Sequence, residues 1–141
     1  MSYDDQNVFA KILRGELPCH KVLETDRVLA FMDVMPRGEG HVLVVPKAPS
    51  RNILDANPDD LADLVKAVQV VARAAKAALG ADGVTIQQFN ENAGGQVVFH
   101  LHVHVIPRFH GTPLKPHTGQ MENPEVLATH AERIRAALSR A

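Results

Sequence analysis

The sequence predicts an α+β fold: an antiparallel five-stranded sheet with one long helix, a short N-terminal helix and a C-terminal helix. Three observations predict it. Short apolar runs at residues 21–24 and 28–33 flank Thr25-Asp26-Arg27, which reads as a tight hairpin, and a second pair near residues 84–89 and 100–106 flanks a loop at 90–95. The long helical period lies between these pairs, so it crosses over a sheet of hairpins. No βαβ alternation is evident, which argues against a doubly wound parallel sheet.

Taken in order, Asn7 is placed to cap a short helix with Val8, Phe9, Ile12 and Leu13 on its apolar side, and Gly15 stands where a left-handed C-terminal residue belongs. The turn-rich Met35-Pro36-Arg37-Gly38-Glu39-Gly40 leads into His41-Val42-Leu43-Val44-Val45, a run too apolar for an edge strand that ends at Pro46. Asn57 caps the long helix, with Pro58 in its first turn and Asp59 and Asp60 favourable to the dipole. Leu61, Leu64, Val65, Val68, Ala72 and Ala75 recur at helical spacing as its packing stripe, and Gly80 closes it. Val84-Thr85-Ile86-Gln87-Gln88-Phe89 alternates as a strand does. After Pro107 the chain turns polar and proline-rich until Asn123-Pro124 starts a last helix, with Leu127, Ala131, Ile134 and Leu138 inward and Arg133, Arg135 and Arg140 suited to its C-terminal end.

Composition bounds the function. The 141 residues suit one domain over 1–141, with a core at 7–108 and a C-terminal extension at 109–141. A formal charge of −1 supplies no basic field for a nucleic-acid partner, so any phosphate must be caught locally. Cys19 is the single cysteine, which rules out an intrachain disulfide and a zinc ribbon built from thiolates. The start, Met1-Ser2-Tyr3-Asp4-Asp5-Gln6, lacks the basic and apolar regions of a signal peptide, and no stretch approaches the roughly 18 apolar residues of a membrane span. The expectation is a cytoplasmic protein with no membrane partner.

The chemistry is concentrated in His100-Leu101-His102-Val103-His104. On a strand the three imidazoles share one face, with Leu101, Val103 and Val105 on the other. A rise of about 3.3 Å per residue puts the outer two roughly 13 Å apart, too far for one tetrahedral phosphorus or carbonyl to touch all three equally. His102, in the middle, is therefore the natural nucleophile or base. His20, His110, His117 and His130 carry no comparable pattern. Zinc sites also use His-x-His on a strand, but they need a third ligand and usually a carboxylate base. The nearest carboxylate in sequence, Glu91, lies across the glycine loop, so no metal is expected. Gly94-Gly95-Gln96 lacks a P-loop ending, yet beside histidines its glycines would let backbone N–H groups approach a phosphate and the Gln96 amide bridge phosphate oxygens.

The stretch from His100 to Ile106 resembles the His-φ-His-φ-His-φ-φ signature of the histidine triad family, φ being apolar. The upstream Asp33 and the block Gly40-His41-Val42-Leu43-Val44-Val45-Pro46-Lys47 match independently, over about residues 7–108. The resemblance implies a HIT-like fold. It implies a nucleotide hydrolase or transferase acting at the α-phosphorus of purine nucleoside 5′-phosphate conjugates, phosphoramidates or dinucleoside polyphosphates, through a covalent nucleotidyl-histidine at His102. It further implies that His104 contacts phosphate oxygens near the leaving group, that His100 and His41 support the nucleophile, and that Asp33 accepts the ribose hydroxyls. Val8, Phe9, Ile12, Phe31, Val34 and Leu43 fall where the family walls the nucleobase, and Asn90, Gly95, Gln96 and Val97 where it meets phosphate. A homodimer and no cofactor complete the expectation.

Three departures stand out. Val97 replaces the serine or threonine common in relatives. Asn90 lies six residues before Gln96 rather than seven, with Phe89 at the seventh place. Asn7, Ala10 and Pro49 occupy positions that hold structural zinc in one bacterial subgroup. Two alternatives stay open at this point: a nucleotide-binding adaptor with vestigial catalysis, and a zinc-dependent hydrolase using the histidine strand.

Overall fold

The computed structural model describes residues 3–116 and 120–140; His117 lies outside the described residues. Its elements are α1 (Val8–Leu13), β1 (Lys21–Glu24), β2 (Val28–Met32), β3 (Val42–Pro46), α2 (Pro58–Leu79), β4 (Gly83–Gln87), β5 (Val103–Arg108) and α3 (Pro124–Ser139). All neighbours in the five-stranded sheet, ordered β1-β2-β3-β5-β4, run antiparallel. The expected α+β class and antiparallel sheet are what the chain adopts.

The caps form as their chemistry dictates. The side chains of Asn7, Asn57 and Asn123 each accept a backbone N–H in the first turn of α1, α2 and α3, satisfying donors that have no partner within the helix. Gly80 ends α2 in the left-handed conformation. Thr25 makes the β1–β2 turn, its hydroxyl accepting from the N–H groups of Arg27 and Val28.

Strands β2 and β3 are buried at every position because both faces of the sheet are covered. Val28, Ala30, Met32, Val42, Val44, Val103 and Val105 face α2 and α3. The alternate residues Leu29, Phe31, Leu43 and Val45 face the other way, against Phe9 of α1. Strand register then lines up Phe31, Leu43, His104 and Gln87 as direct cross-strand neighbours on β2, β3, β5 and β4. That row underlies the site.

Three expectations need correction. Helix α2 buries Leu64, Ala67, Val68, Val71, Ala74 and Ala75, whereas Val65 is 62% exposed and Leu61 and Ala72 only partly buried. An alanine-rich helix offers two stripes of similar period, and the sheet selects the one whose alanines allow closer approach. In α3, Ala137 is buried and Leu138 packs at the margin. Finally, β5 begins at Val103, so His100 and His102 precede the strand. Strand β4 ends opposite His104, and the earlier residues turn away to bond outside the sheet, Leu101 N–H to the Ser50 carbonyl.

Candidate active site

His102 has its tautomer set by its neighbours. Its Nδ1 lies 2.6 Å from the His100 carbonyl oxygen, which can only accept, so Nδ1 carries the proton and Nε2 keeps a lone pair. Burial lowers its pKa, against the opposing pull of that carbonyl, and so favours the neutral ring a nucleophile needs. Phe9 meets the ring edge-to-face with centroids 4.9 Å apart. His100 is fully buried; its Nε2–H donates to the Pro46 carbonyl at 2.8 Å, and desolvation lowers its pKa to about 4.

A second chain of bonds fixes His104. The Arg37 backbone N–H donates to His41 Nδ1 at 3.0 Å, which puts the His41 proton on Nε2. That Nε2–H faces His104 Nδ1 at 2.9 Å, with Asp33 Oδ2 at 3.5 Å. His104 Nδ1 is then an acceptor and its Nε2 a hydrogen-bond donor. The His102 and His104 ring centroids are 5.1 Å apart, near enough to serve one phosphate. Gly40 delivers His41: its φ is +76°, and a Cβ there would stand 2.1 Å from Leu79 Cδ1.

Phe9, Phe31 and Leu43 form one apolar wall with Ile12 packed against it, together with Leu29, Val45, Leu13, Cys19 and Val98. Val8 and Val34 are exposed and stand outside that cluster. Asp33 sits at the end of β2 beside His41, so the structure supplies a carboxylate that sequence spacing had not placed with the triad. Asp33, His41 and His104 offer ligand atoms within 4.8 Å of one another, the one such group of this kind among the described residues. Within that group His41 Nε2 and His104 Nδ1 are hydrogen-bonded to each other at 2.9 Å.

The glycine loop is committed to itself. The backbone N–H groups of Gly94, Gly95 and Gln96 bond to carbonyls of Glu91 and Asn92. The Gln96 amide donates to the Arg51 and Val98 carbonyls and accepts from Asn52 Nδ2 and Glu91 N–H, leaving none of its ordinary hydrogen-bonding capacity for phosphate. Asn90 bonds Gln88 and the Ile53 N–H. Arg51 makes a two-pronged ion pair with Glu91 and lies 4.2 Å over the Phe99 ring. Gly95 has φ +97° beneath Phe89, whose ring also approaches His104 at 5.6 Å. Val97, at 77% exposure, projects from this loop.

Sequence reasoning missed Tyr3, Arg37, Arg51, Asn52 and the packing role of Phe89, because long-range partners carry no local period. It also left the extension without a role. Arg37 Nε donates to the Lys115 carbonyl and the Lys115 N–H donates to the Arg37 carbonyl, both at 2.8 Å, and Glu122 N–H donates to the Val34 carbonyl at 2.9 Å. The extension thus braces the loop between Asp33 and His41. Arg37 Nη1 also reaches Gln87, the cross-strand neighbour of His104.

Desolvation raises the Asp33 pKa to about 6, partly opposed by the Met35 N–H. Between pH 3.8 and about 6 the folded state holds a proton that the unfolded state has released, so this group's contribution to stability falls as pH rises through that window. Asp33→Asn, which keeps the Met35 bond, is expected to raise the melting temperature at pH 7 by the equivalent of at most about 3 kcal/mol. Below pH 4 the gain should vanish. Thermal unfolding across pH checks it; an unchanged melting temperature at pH 7 counts against a buried, destabilising carboxylate.

Comparison with known proteins is consistent with this geometry. A family model described as HIT domain matches residues 14–111. A solved structure of a HIT-like protein from Bartonella henselae is 49% identical, covers 96% of this chain and 99% of its own, and superposes with a TM-score of 0.91. An adenylylsulfatase of Arabidopsis thaliana is 39% identical over 101 residues, 72% of this chain and 51% of that protein. An adenosine 5′-monophosphoramidase of Schizosaccharomyces pombe is 35% identical over 101 residues, 72% of this chain and 73% of its own.

Proposed function

The chain belongs to the HIT domain family, and from that premise we propose that it is a nucleotide hydrolase working at the α-phosphorus of purine nucleoside 5′-phosphate conjugates through a nucleotidyl-His102 intermediate. The observation that carries the reading is the fixed His102 tautomer, with Nδ1–H on the His100 carbonyl and the Nε2 lone pair beside His104. In the first step Nε2 bonds to phosphorus and the bond to the leaving group breaks, its electron pair departing with that group, which takes up a proton from solvent where it leaves as an amine. The adduct is an imidazolium-like ring whose Nδ1–H becomes a stronger donor to the carbonyl already in place. Water then attacks phosphorus, the bond to Nε2 breaks with its electron pair returning to the ring, and the proton lost by the water passes to solvent, which releases the nucleoside monophosphate and restores neutral His102. His104 Nε2–H is oriented to donate to a phosphate oxygen, where charge gathers in the transition state. Asp33 is assigned to the ribose hydroxyls and the wall of Phe9, Phe31 and Leu43 to the purine side.

The phosphoramidase and adenylylsulfatase names of two relatives favour a small leaving group at an adenylyl phosphorus. Val97 offers no hydroxyl to that leaving group, so its selection falls to other side chains around the loop. Rapid quenching with adenosine 5′-phosphoramidate, followed by peptide mass analysis, tests the proposal. An adenylyl adduct on the His102 peptide is the expected result; steady turnover with no adduct at any time overturns it.

We also assign a homodimer, formed through α2 and the open edge of β4. Strand β4 ends the sheet order, Ile86 on it is 47% exposed, and Val65 and Val70 of α2 are exposed as well. Light scattering is expected to give twice the chain mass, and Ile86→Arg to lower it; a monomer for the wild type at micromolar concentration removes the assignment. A cytoplasmic setting suits the lone thiol of Cys19. Among the described residues no helix is long and apolar enough to cross a membrane.

A further inference from the structure

Resting on the reading of His102 as nucleophile, we propose that Tyr3 is a positioning residue, which acts through the His100 ring to hold the carbonyl that orients His102. Tyr3 Oη lies 2.6 Å from His100 Nδ1, and the two rings meet edge-to-face with centroids 5.6 Å apart. Because His100 Nε2–H is already given to the Pro46 carbonyl, Nδ1 bears the lone pair and the Tyr3 hydroxyl is the donor. Both nitrogens of a fully buried ring are thereby satisfied in one orientation.

Tyr3 is the single tyrosine of the chain and lies ahead of the matched residues 14–111. It is carried to the triad by a fastened segment: Asn7 Nδ2 donates to the Asp4 carbonyl at 2.8 Å, and Arg14 Nη1 to the Asp5 carbonyl at 2.7 Å. The same segment continues into α1, where Phe9 packs on His102. Residues 3–13 therefore grip two of the three triad rings, one by a hydrogen bond and one by an aromatic edge.

The consequence for His102 runs through the backbone of residue 100. Its carbonyl is the acceptor for His102 Nδ1–H, and residue 100 is held by its own ring and by the Leu101 N–H on the Ser50 carbonyl. Without the hydroxyl, a buried acceptor at Nδ1 loses its donor. The ring must rotate or admit water, and either movement shifts the carbonyl and with it the line of attack from Nε2.

Tyr3→Phe keeps the aromatic edge and removes only the hydroxyl. With adenosine 5′-phosphoramidate, kcat is expected to fall about tenfold, the equivalent of one buried hydrogen bond, while KM changes less than about twofold, since Tyr3 touches no substrate. Nitrogen-15 spectra of the imidazoles supply the readout that a merely structural role would not move. The wild type should show His100 protonated at Nε2 and His102 at Nδ1, and Tyr3→Phe should shift or broaden the His102 Nδ1–H signal. If kcat and the His102 spectrum both stay at wild-type values, even with a lower melting temperature, Tyr3 is only an anchor for the N-terminal segment and the proposal fails. Persistent turnover in His102→Ala would instead overturn the nucleophile reading, and the imidazole spectra, which need no turnover, would still decide whether Tyr3 orients His102.

Discussion

Replacing His102 by alanine is expected to lower turnover of adenosine 5′-phosphoramidate and diadenosine polyphosphates by roughly 10⁴-fold or more, the scale on which loss of a covalent nucleophile is felt. The loss should fall on kcat. The apolar wall of Phe9, Phe31 and Leu43 does not depend on the imidazole, so calorimetry should still find nucleotide bound within a few-fold of wild-type affinity. No adenylyl adduct should form. The variant leaves a small cavity beside Phe9, and its folded state is confirmed by circular dichroism and a cooperative melt. Residual activity within tenfold of wild type would overturn covalent catalysis. A wild-type protein that binds nucleotide and turns over none of these conjugates would favour the adaptor alternative.

His41→Leu is expected to lower kcat by about 10²- to 10³-fold, with His102 and the apolar wall intact. His41 touches no substrate in the proposed reaction; it works by passing on an orientation. The Arg37 N–H determines that its proton sits on Nε2, and that proton determines that His104 accepts at Nδ1 and donates at Nε2. Leucine fills a similar volume but ends the relay, removing the donor that His41 Nε2 gives to His104 Nδ1 and with it the bond that favours a donating Nε2 toward a phosphate oxygen. It also leaves the Arg37 N–H without its acceptor, a stability loss of about 1–3 kcal/mol. The pairing of a large kcat effect with a modest melting shift separates this role from simple packing. A kcat within a few-fold of wild type would show that His104 holds its tautomer without the relay.

Much of this was legible from local sequence. The three asparagine caps, the Thr25 turn and the left-handed Gly80 are decided within a few residues, by which side-chain oxygen meets which orphan N–H, and each forms as its type predicts. The period-two histidines put His102 and His104 on the face opposite Val103 and Val105 even though the regular strand begins only at Val103. Side-chain alternation needs only an extended backbone, not a paired one.

The face of α2 could not be read in the same way. With alanines spread around that helix, hydrophobic spacing was satisfied by a stripe containing Val65, and only contact with the sheet selected the stripe containing Val71. The loop was legible in kind and misleading in detail. Glycines and a glutamine did mark a tight turn beside the histidines, but the donors of Gln96 and its glycines close the loop upon itself. Arg51 and Asn52, which complete that closure with Glu91, lie 40 and 39 residues from it and leave no periodic trace.

The sequence by itself determined the family and the fold class, because three imidazoles in alternation with apolar residues and the blocks around Asp33 and His41 are local patterns that the chain carries before it folds. What only the tertiary structure decided is the state of each imidazole. A histidine's tautomer depends on whichever acceptor or donor reaches each nitrogen, and here these come from the Pro46 and His100 carbonyls, the Arg37 N–H and the Tyr3 hydroxyl. Tyr3 and Pro46 meet His100 from 97 and 54 residues away. Such bonds exist only once the sheet has closed and water has been removed from around the rings.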